Sequence, residues 1–353
     1  MRKALLYWYS EAKRNLPWRQ KISFYRIWVS EIILQQTQVK QGLSYFEQFI
    51  KRFPDFQSLA NANEKEVLTL WQGLGYYSRA INMHKAAKQI LTEFNGTPPQ
   101  TYSEIKKLKG VGDYTAAAIS SIVYNEPYAV VDGNVFRVLS RFFADKTPTT
   151  TTAGKKHFVS LANTLLDKTH PGDFNQAMME LGALICTPAN PNCLQCPIAK
   201  QCKGKDNWKN LPVKSKMIKN RMRHFSYFII QKNDKFFLHK RGSDDIYKNM
   251  YEPPLIETEK DISALLQEVE SQWKIRNAKI QLIVDYKKHI LTHQTIFYRV
   301  FYLSASQKEI KKIFNNGYFL VSETDIKNYP ISNIVKKIFS YYKKLSTFEK
   351  NLN

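Results

Sequence analysis

The stretch LKGVGDYTAAAI, residues 108–119, decides how the first half of the chain is read. Two glycines two residues apart, Gly110 and Gly112, interrupt residues that read as helix on both sides. Glycine permits a sharp reversal and a close backbone approach, so two helices joined by a tight hairpin are expected, with Gly110, Val111 and Gly112 at its tip. The amides that open the second helix can then face a phosphate. Such a grip holds a nucleic-acid backbone without reading bases, and it specifies binding but no chemistry. An ordinary helix–helix turn would use the same two glycines.

Helical periodicity extends outward from the hairpin. In EKEVLTLWQGLGYYSRAINMHKAAKQILTEF (64–94), apolar residues recur at steps of three and four and break at Gly73 and Gly75. Residues 1–203 are therefore expected to form an all-α domain. From Lys203 to Arg223 there are eight basic residues against one acidic, with Pro212, which marks 204–224 as a basic linker. Beyond it the period changes to two, in FSYFIIQ (225–231) and KFFLHK (235–240) around a turn at Asn233-Asp234, and again over 280–304. With helical candidates at 260–272 and 331–344, an α+β domain is expected over 225–345, followed by a tail at 346–353. No internal repeat is visible.

Composition fits this division. At 353 residues the chain exceeds one ordinary core. A formal charge of +23 on a chain that is 43% hydrophobic and 13% aromatic describes a folded protein with an electropositive surface, hence a polyanionic partner or simply a solvated lysine-rich one. No window approaches the ~18 apolar residues of a membrane span. All four cysteines, Cys186, Cys193, Cys196 and Cys202, lie in one short segment, which argues for one shared ligand set in a reducing, cytoplasmic compartment rather than for disulfides. Their C-x6-C-x2-C-x5-C spacing could hold zinc or an iron–sulfur cluster, and spacing alone does not choose.

Two carboxylates suit a catalytic pair, although sequence pattern alone selects neither. VVDGNVFRVLSR (130–141) puts Asp132 and Asn134 just ahead of a helical run, where an Asp is an N-cap and is held ionised by the helix terminus. RIWVSEIILQQTQV (26–39) puts Glu31, Gln35 and Gln38 on one helical face, with Glu31 flanked by Ile27, Ile32 and Leu34. Such neighbours favour a protonated acid, although a solvent-facing polar stripe would show the same spacing. A neutral Glu paired with an ionised Asp is what acid-catalysed glycosidic cleavage requires.

Taken together with PWR (17–19), VSEIILQQTQV (29–39), WQGLGYYSRA (71–80) and VVDGNVFRV (130–138), the hairpin and the cysteines resemble the adenine DNA glycosylases of the MutY type, within the helix-hairpin-helix superfamily that includes endonuclease III. The resemblance is dense over 1–202. It implies a glycosylase domain carrying a 4Fe-4S cluster on Cys186, Cys193, Cys196 and Cys202, in a loop that contacts DNA. It further implies a double-stranded DNA substrate with adenine opposite 8-oxoguanine or guanine, and extrusion of the adenosine into a pocket. Glu31 then matches the general acid and Asp132 the carboxylate beneath the sugar. Asn134 would support Glu31 and the sugar or water, and Tyr114 would sit beside Asp132. Gln36 matches the residue that enters the duplex, Leu34 and Tyr76 its neighbours, and Arg19 and Arg26 basic positions at the pocket; on the residues alone, each could equally be a surface or packed side chain. A monomer is the default expectation.

Tyr114 stands where strand-cleaving relatives carry Lys, so little lyase activity is expected. A bifunctional pyrimidine glycosylase of the endonuclease III kind, or a DNA-binding protein without catalysis, are the competing readings.

Residues 225–345 more faintly resemble the MutT-like (Nudix-like) domain of the same family. The family's Phe-Ser-His loop stands here as Leu291-Thr292-His293, which leaves Thr292 and His293 as candidates for reading the lesion, and NMYEPPL (249–255) lacks the family's glycine and tryptophan. A strand and turn would fit the same residues. ISALLQEVESQ (262–272) lacks the glutamate box that magnesium-dependent nucleotide hydrolysis needs, so no such activity is expected.

Overall fold

The computed structural model describes residues 1–213 and 221–350. It divides into two compact units, Met1–Ala62 with Asn82–Met217, and Asn63–Ile81 with Ile218–Asn353. Among the described residues up to 213 there are helices and no strands: α1 (Arg2–Ala12), α2 (Pro17–Gln20), α3 (Phe24–Leu34), α4 (Val39–Arg52), α5 (Phe56–Asn61), α6 (Glu64–Leu70), α7 (Ser78–Glu93), α8 (Tyr102–Ile105), α9 (Asp113–Tyr124), α10 (Gly133–Phe143), α11 (Thr152–Leu165) and α12 (Pro171–Leu184). No described helix is long and apolar enough to cross a membrane.

The helix α9 lies against α3, α8 and α12. Its sequence makes this possible, because Ala116, Ala117, Ala118, Ser120 and Ser121 are all buried and small enough to let neighbouring helices approach closely. A second core gathers Leu5 and Tyr9 of α1 with Val135 and Leu139 of α10, Phe158 of α11 and Leu181 of α12, and Cys186, Cys196 and Cys202 border it. The cysteine segment is thus seated on packed helices.

The hairpin joins α8 to α9, and its two glycines serve different ends. Gly110 has φ +77°, and a Cβ there would stand 2.6 Å from the Asn82 Cβ, so both backbone and packing require glycine. Gly112 has φ −99°, which any residue adopts, and open space surrounds it. The reversal expected of both is made by Gly110, while Gly112 leaves room outside the fold. As N-cap of α9, Gly112 offers no side-chain acceptor to the first-turn amides.

The C-terminal unit holds β1 (Arg221–Ile229), β2 (Gln231–Lys232), β3 (Lys235–Lys240), β4 (Tyr251–Glu252), β5 (Leu255–Glu257), β6 (Lys279–Ile290), β7 (Gln294–Ser304) and β8 (Phe319–Ser322), with α13 (Ile262–Trp273), α14 (Gln307–Lys311) and α15 (Asn333–Lys350). One sheet has the order β5-β1-β7-β6, with β1 and β7 parallel. In the other, β3 pairs with β2, β4 and β8. Asn233 and Asp234 both take left-handed φ, 49° and 57°, as the two-residue turn between β2 and β3 demands. Both faces of the β1–β7 pair are covered. Tyr227 and Tyr298 face a core shared with Ile334, Val335 and Ile338 of α15, while Phe228 and Phe301 face Leu265, Val269 and Trp273 of α13.

Contacts draw the boundaries differently from periodicity. Segment 63–81 groups with the C-terminal unit: the Gln72 Nε2 donates to the Ile331 carbonyl at 3.1 Å, the Asn249 Nδ2 donates to Glu64 at 2.9 Å, and the Lys65 ammonium lies 3.4 Å from the Tyr329 ring centroid. Periodicity reports a buried face but not what covers it. The linker drawn at 204–224 begins as folded chain, because Gly204 donates to the Arg141 carbonyl, and the Arg141 guanidinium in turn bonds the carbonyls of Trp208 and Leu211. Residues 214–220 of that linker lie outside the described residues, and from Arg221 the chain is β1. Helix α15 runs to Lys350 through most of the stretch expected to be a tail, whose last residues, 351–353, also lie outside.

Gly110→Ala is expected to lower stability by about 2 kcal/mol or more, from left-handed strain plus overlap with Asn82. Gly112→Ala should cost less than about 1 kcal/mol, the N-cap preference alone. Urea denaturation of both variants checks the order.

Candidate active site

Helix α3 is buried nearly all round, with Phe24, Ile27, Trp28, Val29, Ile32 and Ile33 packed inward, and this packing carries Glu31 into the interior at 8% exposure. The Tyr114 hydroxyl donates to the Glu31 Oε2 at 2.8 Å. Burial raises the Glu31 pKa to about 7, and the charge of Asp132 adds to the rise, while the Tyr114 bond and Arg19 oppose it. Tyr114 itself is pushed well above the ordinary tyrosine value, chiefly by burial, and stays a neutral donor.

Asp132 caps α10, its Oδ1 accepting from the Val135 amide at 2.8 Å. Asn134 donates to the other oxygen at 2.8 Å. Burial raises the Asp132 pKa, and these donors, which favour its charged form, pull against that rise. The N-cap and the candidate site residue are one and the same group. Tyr114 bonds Glu31 rather than Asp132, and Asn134 bonds Asp132 rather than Glu31. The reason is local: Asn134 stands two residues past the cap, within reach of its carboxylate. Its Oδ1 accepts from Arg137 at 2.8 Å, which turns its amide donor toward Asp132. Arg137 also donates to the carbonyls of Gly182 and Cys186, at 2.8 and 2.7 Å.

These groups border an open cleft of about 1030 Å³ within the helical unit, lined also by Arg19, Leu34, Gln36, Gly112, Gln176, Met179 and Glu180. The volume suffices for a nucleoside. Helix α3 stops at Leu34, so the expected single face of Glu31, Gln35 and Gln38 does not form. Gln36 takes φ +58°, a strained value for this residue, and Gln38 caps α4. Arg26 lies away from the cleft, donating to the Pro17 carbonyl at 2.9 Å and standing over the Phe46 ring. Arg19 reaches the cleft through Gln176, at 3.0 Å, and Glu180, at 3.0 Å. Burial alone would raise the Glu180 carboxyl, but bonds from Arg14 and Arg19 outweigh it and hold it at about 2. Sequence reading missed Glu180, Gln176 and Arg137. A glutamate inside the apolar run MMELGAL (178–184) is the same signal that singled out Glu31 and could have found Glu180.

All four cysteines line one further cavity, beside Arg141 and Trp208. Arg141 is buried, and its guanidinium donates to the Cys186 Sγ at 3.4 Å and to the carbonyls of Thr187 and Pro188. Four thiols share one cavity wall with a cationic donor on one sulfur, a donor set whose chemistry suits an anionic metal–thiolate centre. In the C-terminal unit, Thr292 and His293 form the turn from β6 to β7, and the Thr292 hydroxyl is hydrogen bonded to the Tyr76 hydroxyl. Tyr76 also has positive φ, 49°. Glu252 of NMYEPPL is a buried core residue, bonded by Arg241 at 2.5 Å and Tyr227 at 3.2 Å.

Residues 29–162 match the HhH-GPD superfamily of base excision DNA repair proteins, and 226–341 match the NUDIX domain. An adenine DNA glycosylase of Buchnera aphidicola (subspecies Baizongia pistaciae) is 34% identical over 350 residues, covering 95% of each chain. The adenine DNA glycosylase of Rattus norvegicus is 43% identical over 212 residues, covering 58% of this chain and 41% of the rat protein. Among solved structures, a thermostable thymine-DNA glycosylase superposes with a TM-score of 0.53 at 27% identity, covering 58% of this chain and 94% of that one. Helical unit, Nudix-like unit and near-full-length similarity agree: the chain belongs to the adenine DNA glycosylase family.

Proposed function

We propose that this glycosylase removes adenine mispaired with 8-oxoguanine or guanine, after extruding the adenosine into the cleft that Glu31 and Asp132 border. The observation that carries the reading is the pairing of a buried Glu31, with a pKa near 7, and an Asp132 whose hydrogen bonds favour its charge. Glu31 gives its proton to the imidazole-ring nitrogen of adenine, the glycosidic bond breaks, and its electron pair leaves with a neutral base. Asp132 stabilises the cationic sugar and captures its anomeric carbon; Glu31, now a base, takes a proton from the water that releases it. Tyr114 and Asn134 position the two carboxyls. Tyr114 offers no amine for a Schiff base, which supports hydrolysis without strand cleavage.

Gln36 and Leu34, at the cleft, are the residues proposed to fill the duplex where the nucleotide leaves. Tyr76 is proposed to stand beside that wedge, and Thr292 and His293 to read the opposing base. We assign a 4Fe-4S cluster to Cys186, Cys193, Cys196 and Cys202. When bound it supplies no chemistry to base release and holds the loop that ends the helical unit. Arg19 sets the Gln176 and Glu180 wall of the cleft, and Arg26 supports α2 from beneath.

The first test is base release from duplexes holding adenine opposite 8-oxoguanine, adenine opposite guanine, or thymine glycol. Release from the two adenine duplexes is expected, with strand scission only after alkali. Glu31→Gln should bind them and release nothing; normal excision by that variant contradicts the acid. A covalent adduct formed efficiently under borohydride contradicts the absence of lyase chemistry. Single-turnover excision should fall as pH rises through about 7, where Glu31 loses its proton, and fall again at low pH as Asp132 gains one. The same variant has a stability signature. A carboxyl whose pKa rises on folding, from 4.5 to about 7, contributes stability below pH 4.5 that is lost as pH climbs to about 7, about 3 kcal/mol in all. The stability of Glu31→Gln relative to the parent should therefore grow between pH 5 and pH 8. A difference that stays constant by denaturant titration contradicts it.

A further inference from the structure

The hairpin presents Lys106, Lys107 and Lys109, all exposed, ahead of the uncapped first turn of α9. One carboxylate stands among them. Asp113, the first residue of α9, accepts through a single oxygen from both the Lys106 ammonium, at 2.5 Å, and the Tyr102 hydroxyl, at 2.7 Å. Tyr102 is held in turn. Its ring stacks on Tyr128, with centroids 4.2 Å apart and planes 15° from parallel, and its amide donates to the Glu126 carboxylate at 2.7 Å. A lysine–aspartate pair this exposed contributes little stability, typically 0 to about 1 kcal/mol. Its consequence lies instead in where it leaves two charges.

A phosphate arriving at the α9 amides meets the Asp113 carboxylate at the same helix start, and it meets a Lys106 whose ammonium is already engaged. We propose that Asp113 is a positioning residue that keeps Lys106 off the duplex backbone, so that the hairpin grips DNA more weakly than its three lysines allow. The Tyr102–Tyr128 stack is what makes the arrangement persistent, because it anchors a second donor on the same Asp113 oxygen. For a chain of formal charge +23, a weaker contact at this point favours movement along DNA over dwelling on undamaged sequence. The inference rests on the reading of the hairpin as an element that meets the DNA backbone.

Its test is the salt dependence of binding to an undamaged duplex, followed by fluorescence anisotropy between about 50 and 200 mM salt, for the whole protein and for Asp113→Asn, Lys106→Met and the double variant. Each phosphate contact adds about 0.9 to the slope of log affinity against log salt, or about 3.5-fold in affinity across that range. Asp113→Asn should steepen the slope by about that amount and tighten binding most at low salt. Lys106→Met alone should leave the slope where it was, and the double variant should return to the parent slope. Tyr102→Phe, which removes one bond and no charge, should steepen the slope by less. A flatter slope for Lys106→Met in the parent background overturns the proposal, because Lys106 would then already be on a phosphate; so does an Asp113→Asn variant with the parent slope. A parent protein with no salt-dependent binding overturns the reading of the hairpin itself, a different result from either.

Discussion

A carboxyl group among the side chains of α3 is what the rest of the helical unit is arranged around. Glu31 is buried because its helix is apolar on nearly every side, and a buried acid at neutral pH is unfavourable as an anion. The Tyr114 hydroxyl satisfies one oxygen, Arg19 pulls toward ionisation, and Asp132 pushes the other way. The balance leaves a proton that can move near neutrality. Asp132, in the same cleft, is surrounded by donors to its charged form. Burial raises both carboxyls, and the Val135 and Asn134 donors oppose that rise at Asp132; a proton on Glu31 and a charge on Asp132 is the division of labour that cleavage of a glycosidic bond needs.

The elements that make this possible are linked. Small residues in α9 let it close on α3 and α12, bringing Tyr114 against Glu31. The start of α10 supplies Asp132 and, within its first turns, Asn134 and Arg137. Arg137 fixes the Asn134 amide while holding the carbonyls of Gly182 and Cys186, so Asp132 and the cysteine segment are tied through one guanidinium. Arg141, one turn further along α10, holds that segment from within.

Much of this was legible in sequence, and the failures have physical causes. Local pattern reports the apolar surroundings of Glu31, the cap at Asp132 and the hairpin turn, whereas pairing the two carboxylates as catalytic groups came from the family resemblance. The cysteines stood out by their clustering, and Asn134 and Tyr114 through family resemblance; that Asn134 bonds Asp132 and Tyr114 bonds Glu31 depends on tertiary geometry that local pattern does not report. Helix α3 ends at Leu34 although QQTQ carries no Gly or Pro; the left-handed Gln36 that ends it is strain no propensity announces. Segment 63–81 reads as helix broken at Gly73 and Gly75, and only contacts with Ile331, Asn249 and Tyr329 reveal its grouping. The basic stretch after Cys202 reads as linker because its charges dominate, yet Arg141 and Trp208 fold its first part against α10.

The most direct test of the account is the titration of the Glu31 carboxyl itself in the intact protein, by carbon NMR of ¹³C-labelled glutamate with Glu31→Gln for assignment. Of the two glutamate carboxyls that burial raises to about 7, Glu31 and Glu252, the account predicts one signal titrating near pH 7 to be missing from the variant while the other remains. A Glu31 signal that titrates near 4.5, like an exposed side chain, would contradict it.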